Sequence, residues 1–147
     1  MGGMFFYCSG VSDLNLKRFD TSNVTTFTKV MVAPDGSTMN IGMFEGCGLL
    51  NRVNMNGWDT SKVTNMANMF KSCVALESLD LSILDTSSVT DMSSMFENCN
   101  SVININLRGF DTSSVTNMSS MFSWCEKLTN LSLNHFDTSS VIDMNNM

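Results

Sequence analysis

The chain has 147 residues, which is enough for one domain covering residues 1–147. Its eight basic and fourteen acidic side chains give a formal net charge of -6, which argues against a nucleic-acid binder because such proteins carry a basic patch. No apolar run approaches the roughly 20 residues that a membrane-spanning helix needs, and the start of the chain lacks the basic region and long apolar stretch of a signal peptide.

Two motifs recur along the chain with one shared period. The pattern Met-Phe-x-x-Cys occurs five times, and its cysteines are separated by 39, 26, 26 and 26 residues. An Asp-Thr-Ser sequence begins sixteen residues after the Met of each motif. Two independent patterns with the same period and offset indicate a tandem array. We predict five units, at residues 4–42, 43–68, 69–94, 95–120 and 121–146.

The first unit is 13 residues longer than the others, and the excess lies near residues 28–42. It contains the only proline, and Pro34-Asp35-Gly36 combines a fixed φ with a permissive Gly, as a tight turn requires. Apolar residues alternate on both sides of this turn, as in two paired strands: Val30 and Val32 before it, Met39 and Ile41 after it. The sequence therefore predicts an inserted β-hairpin.

In the regular unit 69–94, the first half predicts a strand and the second half predicts a short helix. The spacing of Leu76, Leu79 and Leu81 matches the strand pattern of leucine-rich repeats. Ser88, with Asp91 three residues later, resembles a helix-start capping signal that follows the Asp-Thr-Ser turn. Apolar residues then continue at helical spacing: Val89, Met92, Met95, Phe96 and Cys99.

A unit of this kind cannot bury both its strand and its helix alone, so neighbouring units are expected to stack. The predicted fold class is an α/β repeat solenoid. It is a leucine-rich-repeat-like right-handed coil with a parallel β-sheet on one face and short helices on the other, made of about five 26-residue repeats. Equivalent residues should align in rows through a common core, as in Phe70, Phe96 and Phe122, or Cys73, Cys99 and Cys125.

The segment FDTSSVTNMSSMFSWCEKLTNLSLNHFDTSSV, residues 110–141, resembles the BspA-like leucine-rich-repeat family of bacterial surface proteins. The resemblance covers residues 4–147. It implies a repeat solenoid displayed on the cell surface or secreted, typically in adhesion or in binding to host or extracellular-matrix ligands, and it implies no catalytic residue. The insertion and the lack of a secretion signal, anchor or cap depart from the family pattern.

The repeated cysteines, methionines and aspartates have alternative interpretations. The five cysteines could pair as disulfides, but one per unit at the same position favours small buried thiols. The fourteen methionines could bind Cu(I), although core filling explains their placement better. The Asp of each Asp-Thr-Ser turn could bind Ca²⁺ between units. We expect no metal and no cofactor, and with a single histidine, His135, we expect no enzyme activity.

The remaining signal for function lies on the surface. The two variable residues within Met-Phe-x-x-Cys are aromatic-rich in the first and last units, and aromatic residues are enriched at binding hot spots. The outward positions of the predicted strands are polar and rich in Asn. The candidate partner-binding residues are therefore Trp124, Tyr7, Phe6, Pro34, Asp35, Arg52, Asn54, Arg108 and Asn106, with Trp124 and the hairpin favoured.

These features predict a non-catalytic protein-interaction or adhesion module whose partner is a protein or an extracellular-matrix or host ligand. Two alternatives remain open. The first is a structural solenoid that self-associates end to end, since the predicted array has no polar caps. The second is an intracellular decoy or inhibitor whose acidity mimics another ligand.

Overall fold

The computed structural model describes residues 1–147 and contains six short strands. They are β1 (Asp13–Asn15), β2 (Thr28–Val32), β3 (Thr38–Gly42), β4 (Arg52–Asn54), β5 (Ser78–Asp80) and β6 (Asn104–Asn106). Strand β1 pairs with β4 and β5 with β6, both in parallel, whereas β2 and β3 are antiparallel. Turns and isolated β-bridges make up most of the remaining chain. The fold offers no helix with the length and apolarity to span a bilayer.

The predicted α/β repeat solenoid is wrong. No residue lies in a helix, so the short helices expected on one face of a leucine-rich-repeat-like right-handed coil do not exist. The strands also fail to join into one parallel sheet, because they form three separate two-stranded sheets. The chain instead consists of short strand pairs and turns, with parallel bridges between residues that are 26 positions apart, or 39 positions apart across the insertion.

Backbone geometry explains why a segment with helical apolar spacing is not helical. Between residues 66 and 73 the chain passes through left-handed conformations at Asn68 (φ 59°) and Ser72 (φ 60°), which an α-helix does not contain. Alternate N–H groups of this segment, including that of Phe70, donate to carbonyls of the next repeat and not to the carbonyl four residues back. The apolar side chains still point inward, but a series of turns orients them instead of a helix.

Ser88 and Asp91, which were expected to cap the start of a helix, form other hydrogen bonds. Ser88 Oγ donates to the backbone oxygen of Ser61 in the preceding repeat at 2.7 Å. Asp91 Oδ1 accepts the N–H of Ser93 at 2.9 Å and its hydroxyl at 2.7 Å. Both side chains therefore stabilise turns and contacts between repeats, where short polar side chains compete with helix formation.

Equivalent residues of successive repeats are in contact, as the sequence predicts. Isolated parallel bridges connect Asn65 to Asp91, Asp91 to Asn117, and Asn117 to Asp143. A core of 29 buried residues extends across the repeats. The phenyl rings stack in one column with centroid separations of 5.5, 5.1, 5.9 and 5.6 Å, in the order Phe5, Phe44, Phe70, Phe96 and Phe122.

The cysteine thiols form a second column, and those of the second to fifth repeats donate hydrogen bonds to backbone oxygens of the preceding repeat. Cys73 Sγ donates to Phe44 O and Cys99 Sγ donates to Phe70 O, each at 3.2 Å. All five cysteines are free. Burial raises the pKa of Cys47 to about 11 and the pKa of Cys99 to about 12, and it also raises the pKa of Cys73.

We expect Cys73 and Cys99 to resist alkylation in the folded protein. Both thiols are buried, and their raised pKa values leave almost no thiolate, the reactive form, at pH 8. Cys8 and Cys125 are partly exposed. Although burial also raises the pKa of Cys125, access to solvent should let both react with iodoacetamide at least about tenfold faster. Mass spectrometry of samples quenched over time measures this order. Equal labelling rates for Cys73 and Cys125 would mean that the thiol column is open to solvent.

The Asp-Thr-Ser sequence forms the predicted turn and also connects repeats. Asp111 Oδ1 accepts the N–H of Ser113 at 3.0 Å and its hydroxyl at 2.7 Å, and these hydrogen bonds lower the pKa of Asp111. The buried Thr86 of the preceding repeat donates its hydroxyl to Asp111 O at 2.9 Å and accepts the Asp111 N–H at 2.8 Å. The Asp therefore shapes the turn, and the Thr fixes the register between repeats.

The inserted segment forms the predicted antiparallel hairpin. Strands β2 and β3 pair from Thr28 with Gly42 to Val32 with Thr38. Thr28 anchors the base of the hairpin, because its hydroxyl donates to Ala67 O at 2.8 Å. Every residue from 29 to 40 is exposed, so the hairpin projects from the repeats and most of its apolar side chains remain in solvent, whereas Ile41 at its base is buried.

Candidate binding surface

The candidate residues Arg52 and Asn54 lie in β4 and line a groove of about 560 Å³. Arg52 Nε is 4.0 Å from Asp13 Oδ1, and both side chains are exposed. Asn54 Oδ1 accepts the N–H of Asn56 at 3.0 Å. An exposed ion pair at this distance contributes little stability, so Asp13 holds Arg52 only weakly. The Asn54 oxygen, in contrast, already accepts a backbone hydrogen bond of the turn that follows β4.

The candidates Asn106 and Arg108 line a separate groove of about 530 Å³ beside β6. Asn106 Nδ2 donates to Asp80 Oδ1 at 3.0 Å, and Asn106 Oδ1 accepts the N–H of Arg108 at 3.3 Å. The amide of Asn106 is thus used within the protein. The strand side therefore presents two open polar grooves without aromatic anchors.

The hairpin candidates Pro34 and Asp35 lie in its exposed turn. Asp35 Oδ1 accepts the hydroxyl of Ser37 at 2.6 Å and its N–H at 2.9 Å, and these hydrogen bonds lower the pKa of Asp35. Below the turn, an apolar groove of about 400 Å³ is lined mainly by Phe6, Met31, Val32, Met39 and Ile41. The structure thus brings the candidate Phe6 to the hairpin.

The two variable residues of each Met-Phe-x-x-Cys motif form a row that crosses all five repeats, which we name the variable-pair surface. The second residue of each pair donates its N–H to the first residue of the next pair. These bonds run from Tyr7 to Glu45 at 2.9 Å and, at the other end, from Asn98 to Ser123 at 2.8 Å. The surface consists of Phe6-Tyr7, Glu45-Gly46, Lys71-Ser72, Glu97-Asn98 and Ser123-Trp124.

Tyr7 and Trp124 occupy equivalent positions at the two ends of this surface, with φ angles of 53° and 61° in the left-handed region. Gly46, Ser72 and Asn98 are left-handed at the same position, with φ angles of 74°, 60° and 62°, so the conformation belongs to this turn in every repeat and only the bulky residues are unusual. A bulky residue in this region is uncommon, and the conformation costs about 1–2 kcal/mol. The two side chains are 66% and 68% exposed, so their burial does not offset this cost. Strained residues of this kind concentrate at functional sites.

Gly46 makes room for the ring of Tyr7. A Cβ atom at position 46 would lie 2.8 Å from Tyr7 Cδ2, so the ring lies directly over the glycine backbone. Phe6 packs edge-on against Tyr7, with ring centroids 4.7 Å apart and an interplanar angle of 76°. Phe6 and Tyr7 therefore form a fixed aromatic pair at the first repeat.

The centre of the variable-pair surface is charged. Lys71 Nζ is 2.8 Å from Glu97 Oε2, and both side chains are partly buried. On the other side of Lys71, Glu45 Oε2 accepts the N–H of Gly42 at 2.8 Å, but Glu45 takes part in neither ion pair of the chain. Burial raises the pKa of Glu45. The centre thus holds two carboxyl groups and one ammonium group between two aromatic ends.

Replacing Trp124 with Asn should increase the free energy of unfolding by about 0.5–1 kcal/mol. Asn98 adopts the same left-handed conformation at the equivalent position, and Asn tolerates this region better than Trp does. The exposed indole has little packing to lose. Urea unfolding followed by circular dichroism measures the change. A loss of more than about 1 kcal/mol would assign Trp124 a structural role instead.

The sequence predicts the aromatic candidates of this surface but misses Glu45, Lys71 and Glu97. The available signal was the alternation of acidic, basic and acidic residues at one position of three successive motifs. Binding hot spots are enriched in Trp, Tyr and Arg, so the prediction selected the aromatic members of this position and not its charged ones.

No group of three or more His, Cys, Asp or Glu side chains is placed to hold a metal ion. A family model described as "Mycoplasma protein of unknown function, DUF285" matches the chain twice, over residues 1–110 and 37–147. Together the two matches cover the whole chain. No curated protein and no solved structure matches it.

Proposed function

We propose that this chain, which belongs to the DUF285 family of Mycoplasma proteins of unknown function, is a non-catalytic protein-interaction module. The proposed binding site is the variable-pair surface. The observation that carries the proposal is the pair of exposed, strained aromatic residues, Tyr7 and Trp124, at equivalent positions of the first and last repeats.

Three features of the surface support a binding role. Trp and Tyr are enriched among the residues that contribute most of the binding energy at protein interfaces. The row is held by backbone hydrogen bonds between repeats, so its side chains are positioned before a partner arrives, which reduces the entropy lost on binding. The apolar groove of the hairpin meets the same surface at Phe6, and this continuity gives a partner a larger contact area.

We also propose that the protein acts on the cell surface or after secretion, as an adhesion module. Support comes from the resemblance of residues 110–141 to BspA-like bacterial surface proteins. Trypsin treatment of intact cells, followed by immunoblotting, tests the location. Loss of the protein while a cytoplasmic marker survives is expected, and protection of both proteins would contradict a surface location.

The binding role is tested by comparing variants that keep the fold. Wild type, the Tyr7→Asn/Trp124→Asn double variant and the Ile142→Ala control are immobilised and exposed to solubilised host-surface and matrix proteins. Ile142 is exposed and lies outside the variable-pair surface. We expect at least one protein to be captured by wild type and by the control, with at least tenfold less captured by the double variant, as quantitative mass spectrometry would show. Identical capture by all three would reject the proposed site.

End-to-end self-association and the role of an intracellular decoy stay predictions, since no specific feature of the surface favours either.

A further inference from the structure

We propose that the variable-pair surface binds an extended segment of a partner protein that carries arginine or lysine side chains at about the spacing of its two aromatic ends. This inference rests on the proposed binding function and names the chemistry of the partner. Three properties of the row carry it: its length, its charge and the nature of its ends.

The length of the row matches a short extended peptide. Tyr7 and Trp124 are separated by four steps between repeats, and each step equals the spacing of neighbouring strands, so the two ends lie about 20 Å apart. An extended chain advances about 3.3 Å per residue. About six residue steps therefore cover the distance from one aromatic end to the other.

The charge of the row leaves one carboxyl group unbalanced. Lys71 forms its ion pair with Glu97 at 2.8 Å and also lies close enough to Glu45 to attract it, so one ammonium group serves two carboxyl groups. Glu45 itself forms no ion pair, and it accepts the N–H of Gly42. Glu45 is half-buried, so a cation that reached it would interact in a medium less polar than water. An acidic segment would meet two carboxyl groups, and the formal net charge of -6 would oppose its approach further.

The ends of the row suit cationic side chains. The faces of Tyr and Trp rings attract guanidinium and ammonium groups, and arginine also stacks on them through its planar group. Both residues are about two-thirds exposed. A segment with cations about six residues apart could place one on each ring and direct a third toward Glu45.

The test uses three fluorescein-labelled heptapeptides of Gly and Ser, with Arg, Gln or Glu at positions 1, 3 and 7. Fluorescence anisotropy with the full chain measures their affinities. We expect the Arg peptide to bind at least tenfold more tightly than the Gln peptide, and the Glu peptide to show no binding. Equal affinities for the Arg and Gln peptides, or no binding of the Arg peptide, would overturn the inference.

Two variants separate a specific site from general attraction to an acidic protein. Glu45→Gln removes the unbalanced charge, while its amide oxygen can still accept the Gly42 N–H. Glu77→Gln removes the same charge at an exposed residue outside the surface. We expect the first variant to weaken binding of the Arg peptide about fivefold and the second to leave it within twofold. Equal effects of both variants would overturn the inference.

Further measurements distinguish failure of this inference from failure of the proposed function. If the Tyr7→Asn/Trp124→Asn variant loses capture of a protein partner but the Arg peptide does not bind wild type, only the inference is overturned. A neutral oligosaccharide that binds wild type and loses affinity with the double variant would assign the row to a glycan and overturn both.

Discussion

Replacing Phe70 with Ala should lower the free energy of unfolding by about 3–5 kcal/mol. Phe70 is fully buried and lies between Phe44, at 5.1 Å, and Phe96, at 5.9 Å, with interplanar angles of 16° and 5°. Its removal leaves a cavity and two broken ring contacts, each worth about 0.5–1.5 kcal/mol beyond the loss of buried area. Urea unfolding followed by circular dichroism measures the loss.

The matched control is Phe122→Ala in the same column. Phe122 is only partly buried and stacks on Phe96 alone among the rings. We expect its loss to be roughly half that of Phe70, because solvent can fill part of the space and one ring contact is broken instead of two. Equal losses at both positions would show that ring stacking between repeats does not hold the core together.

Replacing Gly42 with Ala should destabilise the protein by about 3 kcal/mol, at the upper end of the usual cost of an added methyl group in a packed site. Gly42 ends β3, and a Cβ atom there would overlap the backbone of Asn68 in the next repeat. Backbone atoms cannot swing aside as a flexible side chain can. The hairpin base or the neighbouring repeat must therefore shift, which weakens the bond from Thr28 to Ala67.

Gly10→Ala provides the control, since a Cβ atom at that position would meet nothing within 4 Å. Its free energy of unfolding should stay within about 0.5 kcal/mol of wild type. Both variants are measured by the same urea titration. If Gly42→Ala also stays within about 1 kcal/mol of wild type, the hairpin is not packed tightly on the next repeat.

The predicted stability gain of Trp124→Asn contrasts with these losses and bears on function. The core positions carry apolar residues that are stabilised by burial. Position 124 instead carries Trp in a left-handed backbone conformation that is unfavourable for a bulky residue. A protein that is more stable without Trp124 but binds less well would show the expected trade between stability and function.

The rows of the core were predictable because each repeat places the same side chain at the same position. Phe44, Phe70 and Phe96 recur at a fixed period. Stacking each repeat on the next in register therefore brings these side chains into contact and buries all of them. The Asp-Thr-Ser turn and the hairpin at Pro34 were predictable for a different reason, since their conformations depend on residues that are neighbours in sequence.

The helices were wrongly predicted because apolar spacing does not identify the partners of the backbone N–H groups. Met92, Met95 and Phe96 show helical spacing, yet the N–H groups of Met92 and Phe96 bond to the following repeat. Short isolated helices are marginal in water, and the neighbouring repeats offer these groups a complete set of acceptors. Such partners exist only in the folded structure.

Some features of the candidate site were likewise predictable from the sequence, and others were not. The sequence by itself determined the 26-residue period, the residues that share each row, and the aromatic identity of positions 7 and 124. The tertiary structure alone decided that Lys71 pairs with Glu97 while Glu45 forms no ion pair, and that Tyr7 and Trp124 adopt left-handed backbone conformations. The physical reason is that side-chain identity repeats along the chain, whereas ion pairs and backbone φ angles depend on atoms that neighbouring repeats contribute.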